Sequence, residues 1–162
     1  MPLKVRVVNA ARAPLRAAFL KDVISRAVEE PALARRLGPG AAREMTVRLT
    51  GDRELRRLNA SFLGLDEVTD VLSFPSGDSP AGGPQGYLGD LALSWPAVVR
   101  QAHAFGHPEH VEAGLLAVHG LLHLLGWDHA TPAEAAEMEA LTQACLARAG
   151  LPEIAGRLTG SQ

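Results

Sequence analysis

Alternating apolar and polar residues predict strands in the first half of the chain. Two segments, residues 3–9 and 44–50, alternate with a period of two, as expected for strands with one buried face. A third is a short apolar run that ends at Pro75, and residues 87–94 are predicted as a fourth strand. The predicted strands are residues 3–9, 44–50, 69–75 and 87–94. Residues 76–86, between the last two strands, are dense in glycine and proline and therefore predict a surface loop.

Apolar residues spaced three and four apart predict helices in the remaining segments. The predicted helices are residues 15–30, 51–62, 96–106, 108–126 and 131–150, with a loop at 35–44. Pro14 is placed at the start of the first helix, and the last helix opens with Thr131 as N-cap, Pro132 at its first position and Glu134 at its third. The whole pattern predicts an α/β (α+β) fold, in which a small mixed sheet of about four strands packs with helices.

Length and composition favour one soluble domain that spans residues 1–162. A chain of 162 residues with 47% hydrophobic content is long enough to bury its own core, and no linker or internal repeat divides it. The first ten residues are interrupted by Lys4 and Arg6, which argues against a signal peptide, and the longest apolar stretch, residues 115–126, is too short to span a bilayer. We therefore expect a cytoplasmic protein with no membrane partner. Cys145, a single cysteine, fits a reducing compartment and is expected in the core.

Charge is distributed unevenly along the chain although the formal net charge is only −2. Residues 1–57 hold 13 of the 16 Lys and Arg residues against 6 acids, and residues 58–162 hold 3 against 12. A basic half facing an acidic, metal-binding half would suit a polyanionic substrate, because arginines can hold phosphates. The alternative is that these arginines only solvate helix faces.

The segment HGLLHLLGWDH, residues 119–129, predicts a metal site. His119 and His123 are four apart on a predicted helix, so their rings project from one face, and Gly126 can end the helix so that His129 returns to the same ion. Three imidazoles with water at the fourth position suit one Zn²⁺ ion, although nickel, copper or iron also accept imidazole. Asp128 is expected either to orient a ligand or act as a base, or simply to form the turn.

The other histidines, His103, His107 and His110, are expected to be structural or exposed because they lie near predicted helix ends. Gly120 bears on the type of reaction. Zinc proteases of the metzincin type share the histidine spacing and a glycine at the position of Gly126, but they carry a glutamate base directly after the first histidine. Gly120 in its place argues against peptide hydrolysis and is compatible with a nuclease, and the glycine is expected either to allow close helix packing or to leave room for substrate.

Three segments resemble the YbeY family of bacterial metal-dependent endoribonucleases. HGLLHLLGWDH is similar to the family signature H-G-x-L-H-L-x-G-[YW]-D-H, and LNASFLGLDEVTDVLSFP (58–75) and GYLGDLALS (86–94) resemble two upstream blocks, so that the likeness runs from about Val47 to Leu146. The resemblance implies cleavage of single-stranded RNA, maturation of the 3′ end of 16S rRNA, action in ribosome quality control with the ribosome as partner, and zinc held by the residues that are here His119, His123 and His129.

One position departs from the family pattern. Leu63 stands where family members commonly carry an arginine that is thought to help with the phosphate, so either Arg56 or Arg57 substitutes as a substrate-binding residue or the activity is weakened. A zinc amidohydrolase or protease, and a non-catalytic ribosome assembly factor with a structural zinc, remain as alternative functions.

Four further residues have two interpretations each. Ser73 and Asp70 are expected to cap a strand or bond the backbone rather than take part in chemistry. Trp127 and Phe74 are expected in the core rather than stacked on RNA bases.

Overall fold

A computed structural model describes residues 3–38, 43–63, 70–76 and 86–152, without the side chains of Phe62 and Leu63. The predicted loop at 76–86 therefore lies almost entirely outside the described residues. The strands are β1 (Leu3–Asn9), β2 (Arg43–Thr50), β3 (Val71–Pro75) and β4 (Tyr87–Ser94). They form one sheet in the order β1-β2-β4-β3, in which β3 is antiparallel to β4 and the other pairs are parallel. The predicted small mixed sheet of four strands is confirmed.

The helices alternate with the strands and then complete the chain. They are α1 (Ala17–Ala27), α2 (Pro31–Leu37), α3 (Asp52–Leu58), α4 (Trp95–Phe105), α5 (Glu109–Leu124) and α6 (Pro132–Arg148), with a π-helical turn at Asn59–Leu63. The predicted capping box at the start of α6 is present: the Thr131 hydroxyl accepts from the Glu134 backbone N–H, and the Glu134 carboxylate accepts from the Thr131 N–H. Of the described helices, none combines the length and the apolar character that crossing a bilayer would need.

The prediction for residues 15–44 is wrong in two respects. The first helix is Ala17–Ala27, shorter than the predicted 15–30 at both ends. A second helix, Pro31–Leu37, covers residues 31–34, for which no element was predicted, and the first three residues of the predicted loop at 35–44. Pro31 occupies the first turn of α2, where its missing N–H costs nothing. Leu33 and Leu37, four apart, are both fully buried, so packing stabilises a helix of only seven residues.

The two faces of the sheet are covered differently. One face, with Val71 and Leu91, contributes to a large core beneath α1, α5 and α6. The other face, with Leu72 and Ala92, packs against Leu55 of α3. Neighbouring residues of a strand point to opposite faces, so α3 and α5 lie on opposite sides of the sheet. The extent of the domain, residues 1–162, stays a prediction.

Candidate metal centre

Three histidine side chains converge at the end of α5, as the sequence predicts. The Nε2 atoms of His119 and His123 are 3.2 Å apart, one helical turn from each other. The ring of His129 lies 5.9 Å from that of His119 and 5.2 Å from that of His123, measured between centroids. One ring nitrogen from each residue lies within 4.8 Å of the other two. The three residues therefore form a group that could hold a metal ion.

A glycine-terminated helix end returns the chain to this group. Gly126 has φ 99°, a conformation that L side chains rarely adopt, and its N–H donates to the His123 carbonyl at 3.0 Å. The Trp127 N–H donates to the Leu122 carbonyl at 3.0 Å, which completes a Schellman motif. The predicted role of Gly126 is confirmed, and the reversal of direction accounts for the position of His129.

The surroundings of His123 determine its protonation state. Loss of solvation lowers the pKa of His123, and the neighbouring His129 lowers it further. The Asp128 charge and a hydrogen bond between the ring and the Trp127 backbone oppose this change. The balance favours the neutral imidazole, which is the form that binds a metal.

The donor set and its spacing fit a first-row metal ion such as Zn²⁺. A tetrahedral ion with Zn–N bonds of about 2.0–2.1 Å places its ligand nitrogens roughly 3.3–3.4 Å apart, close to the 3.2 Å between the Nε2 atoms of His119 and His123. The Nε2 atom of His123 faces the Nε2 atom of His119, so both rings direct a nitrogen into the site. Imidazole alone does not distinguish zinc from nickel, copper or iron.

Gly120 lies against the sheet and not beside the site. A Cβ atom built at this position would lie 2.8 Å and 3.1 Å from the two Cδ atoms of Leu91 and 3.3 Å from Cγ2 of Val71. The expectation of close helix packing is confirmed, and the alternative that Gly120 leaves room for substrate is wrong. The Ser73 hydroxyl donates to the Gly120 carbonyl at 3.1 Å, so Ser73 bonds the backbone, as expected, and ties β3 to α5.

The structure places Asp128 beside the third histidine. Its exposed carboxylate accepts a hydrogen bond from the His129 backbone N–H at 2.7 Å, which agrees with a turn-forming role. Its charge also acts on His123, as the pKa of that residue shows. A role for Asp128 as a base stays a prediction.

Arg56 and Arg57 are exposed on α3, which packs on the face of the sheet opposite α5. Arg57 donates to the Glu54 carboxylate at 3.2 Å. The substrate-binding role predicted for the two arginines stays a prediction. The Leu63 side chain lies outside the described part of the structure.

The two aromatic candidates and His107 have environments typical of residues that stabilise the fold. Trp127 is 5% exposed, which confirms the expectation that it lies in the core and not in a base-stacking position, and Phe74 packs partly buried beside Leu72. The Nε2 atom of His107 lies 2.7 Å from the fully buried carboxylate of Glu112, a hydrogen-bonded contact that the local sequence pattern did not predict.

Arg36 also lies near the site, although it was not among the residues predicted from the sequence. Its Nη1 donates to the Leu125 carbonyl at 3.0 Å, and its guanidinium carbon lies 3.7 Å from the centre of the Trp127 ring. The two partners are far from Arg36 in the chain and α2 was not predicted, so local pattern carried no sign of this contact.

A mixed four-stranded sheet with a buried helix, two histidines on that helix and a third beyond a glycine turn defines a small α/β domain with a candidate metal centre. The family model described as Endoribonuclease YbeY matches residues 8–150. Similar curated proteins, each named Endoribonuclease YbeY, include one from Rhodopseudomonas palustris (strain ATCC BAA-98 / CGA009), 46% identical over 84% of this chain and 72% of that protein. Another, from Moorella thermoacetica, is 42% identical over 82% of this chain and 88% of that protein. The chain belongs to the endoribonuclease YbeY family.

A solved structure agrees on the fold. The solution structure of TM1509 from Thermotoga maritima matches 88% of this chain and 89% of its own with a TM-score of 0.56. At 21% sequence identity, this likeness concerns the fold alone.

Proposed function

We propose that this protein is a zinc-dependent endoribonuclease that cleaves single-stranded RNA in the cytoplasm. In this proposal it matures the 3′ end of 16S rRNA and acts in ribosome quality control, with the precursor RNA and the ribosome as partners. The observation that carries the proposal is the convergence of His119, His123 and His129 in a chain whose relatives are named endoribonucleases. The names describe the relatives, and the histidine group supports the proposal of a metal-dependent reaction in this chain.

The histidines are proposed to hold one Zn²⁺ ion and to leave a coordination position open. A bound ion would supply Lewis acidity, which would stabilise negative charge on a phosphodiester. His119 and His123 hold their nitrogens in fixed positions because they share one face of a buried helix. Asp128 is proposed to help as a base, since its exposed carboxylate lies next to a proposed ligand.

The arginines of α3 are proposed to hold phosphates of the RNA at a distance from the reacting group. Arg56 and Arg57 are exposed and lie on the opposite side of the sheet from the histidines. Because β3 is an edge strand and α5 packs against it, an RNA strand that reaches both regions would pass around this edge. The excess of Lys and Arg in residues 1–57 favours such a path for a polyanion.

The protease alternative is weakened by the position of Gly120. The residue after the first histidine packs against Leu91 and Val71, so a glutamate there would enter the sheet and not the site. The assembly-factor alternative predicts metal binding without cleavage.

Cleavage of a 5′-labelled single-stranded RNA by the purified protein tests the proposal. We expect internal cuts that disappear after metal stripping, return with Zn²⁺, and are lost in the His119→Ala, His123→Ala double variant, which also controls for contaminating ribonuclease. Zinc content is measured on the same samples. A folded protein that carries zinc and leaves RNA intact would favour the assembly factor, and a protein that binds no metal would contradict the proposed site.

Salt-dependent RNA binding tests the two arginines. Arg56→Gln and Arg57→Gln should each weaken binding and reduce its dependence on salt, because each removes one phosphate contact. Lys21→Gln, at an exposed position of α1, is the charge-matched control and should bind as the unaltered protein does. Equal affinity in all four proteins would remove α3 from the RNA path. Accumulation of 16S precursor in cells that carry only the double histidine variant would support the ribosomal role.

A further inference from the structure

The turn between His123 and His129 is contacted by Arg36, a residue that is distant from it in the sequence. Arg36 lies in the last turn of α2, and α2 is anchored by the fully buried side chains of Leu33 and Leu37. Its guanidinium donates to the Leu125 carbonyl, and the guanidinium carbon lies 3.7 Å from the centre of the Trp127 ring. Arg36 therefore contacts the residues on both sides of Gly126.

Both contacts stabilise the C-terminal end of α5, where backbone carbonyls lack partners within the helix. The last carbonyls of a helix have no partner within the helix, and a cation there also meets the negative end of the helix dipole. The Leu125 carbonyl receives its hydrogen bond from Arg36. Trp127 is fixed from two directions, by Arg36 over its ring and by its indole N–H, which donates to Glu137 of α6 at 3.3 Å.

The same turn orients two of the three candidate ligands. The His123 carbonyl accepts the hydrogen bond from the Gly126 N–H in this turn, and His129 follows Trp127 by two residues. His119 and His123 lie on a rigid helix, so the position of His129 is the one that depends most on order in the turn. Groups that orient metal ligands from outside the coordination shell typically change metal affinity by about 10–100-fold when they are removed.

We propose that Arg36 is a positioning residue that clamps the Leu125–Trp127 turn and thereby sets the metal affinity of the three-histidine site. The inference rests on the proposed function in so far as that function assigns a metal to the site. Arginine suits the task because one planar group donates a directed hydrogen bond and stacks on an indole at the same time, whereas a lysine ammonium has no flat face to stack.

Two measurements on the full-length protein test the clamp. The first is hydrogen exchange of the Gly126 and Trp127 backbone amides in metal-free protein, since these amides make the bonds that close the helix end. Arg36→Ala should lower their protection by about tenfold or more relative to amides in the middle of α5. The second is zinc affinity by competition with a chromophoric chelator, in which Arg36→Ala should bind about 10–100-fold more weakly.

Two control variants separate the loss of these specific contacts from the loss of a positive charge on α2. Arg35→Ala removes the same charge from the neighbouring exposed position of α2 and should change neither measurement. Arg36→Lys keeps the charge and should resemble Arg36→Ala more than the unaltered protein. A general loss of stability would lower protection throughout α5 and not at the turn alone.

The outcomes separate the clamp from the metal assignment. Unchanged protection of Gly126 and Trp127 in Arg36→Ala overturns the clamp, whatever happens to zinc. Weaker protection with unchanged zinc affinity overturns the statement that the clamp sets affinity. An unaltered protein that binds no zinc overturns the proposed metal site and the effect on affinity with it, while the exchange result still decides the clamp.

Discussion

Replacing Gly120 with glutamate would restore the residue that metzincin-type zinc proteases carry after their first histidine. In this fold, the substitution should damage the protein without creating a protease. The Cβ direction at position 120 leads towards Leu91 at 2.8 Å and Val71 at 3.3 Å. Carbon atoms in ordinary contact are about 3.5–4.0 Å apart, so even the first atom of the new side chain is too close.

The expected loss of stability follows from these contacts. Overpacking a core costs about 1–3 kcal/mol, and a carboxyl group carried into the apolar space between helix and sheet costs roughly 2 kcal/mol or more in addition. Glutamate gains about 0.5–1 kcal/mol over glycine in helix propensity, which is smaller. The net loss is therefore about 3 kcal/mol, and for a chain of this size that corresponds to a melting temperature lower by roughly 6–12 °C.

Thermal unfolding of metal-free protein by circular dichroism measures this loss, and casein hydrolysis tests for protease activity. Gly120→Ala adds only the Cβ atom and should destabilise less than Gly120→Glu does. Ala140→Glu places the same side chain on the exposed surface of α6 and should leave the melting temperature nearly unchanged. A Gly120→Glu protein as stable as the original, or one that acquires metal-dependent peptide cleavage, would refute the placement of position 120 against the sheet.

Three further predictions concern helix capping, thiol reactivity and acid stability. Thr131→Ala removes the hydroxyl that accepts from the Glu134 N–H and should cost about 1 kcal/mol, seen as a melting temperature lower by roughly 2–4 °C, whereas Thr131→Ser should recover most of it. Burial raises the pKa of Cys145 to about 12, so a disulfide reagent at pH 8 should label the thiol only after denaturation; rapid labelling of native protein would contradict this burial. The hydrogen bond from Arg100 lowers the pKa of Asp52 below 3.8, so its carboxylate stabilises the fold above that pH and loses this effect as pH falls through the lowered pKa. Asp52→Asn should therefore be less stable to urea than the original protein at pH 7, and this difference in stability should shrink in acid. A difference in stability that does not depend on pH would argue against the ion pair between Asp52 and Arg100.

The candidate site could be predicted from sequence because its parts are local. His119 and His123 meet through helical periodicity alone, and Gly126 marks the end of the helix by the conformation that it allows. The strands were predictable for a similar reason, since alternation reports which residues share a face. These features need no knowledge of what lies across the core.

Long-range features could not be predicted in the same way. α2 is stabilised because the side chains of Leu33 and Leu37 are buried in the core. Its seven residues are too few for hydrophobic periodicity to predict a helix. Arg36 meets Leu125 across 89 residues of chain. Alternation showed that the sheet has two faces, but it did not show that α3, which carries Arg56, would pack on the face opposite α5.

The number of ligands bears on whether the proposed ion is structural or catalytic. A structural zinc site usually has four protein ligands, whereas a catalytic one has three and an open position. Among the described residues, the group at the end of α5 has three members, and the Asp128 carboxylate is directed to the backbone of His129. The turn also has other supports, because backbone bonds close the helix end and Trp127 is held by Arg36 and Glu137. An ion would add little to a fold supported in this way, so chelation should abolish RNA cleavage while the circular dichroism spectrum is retained, and a structural zinc would require both to be lost together.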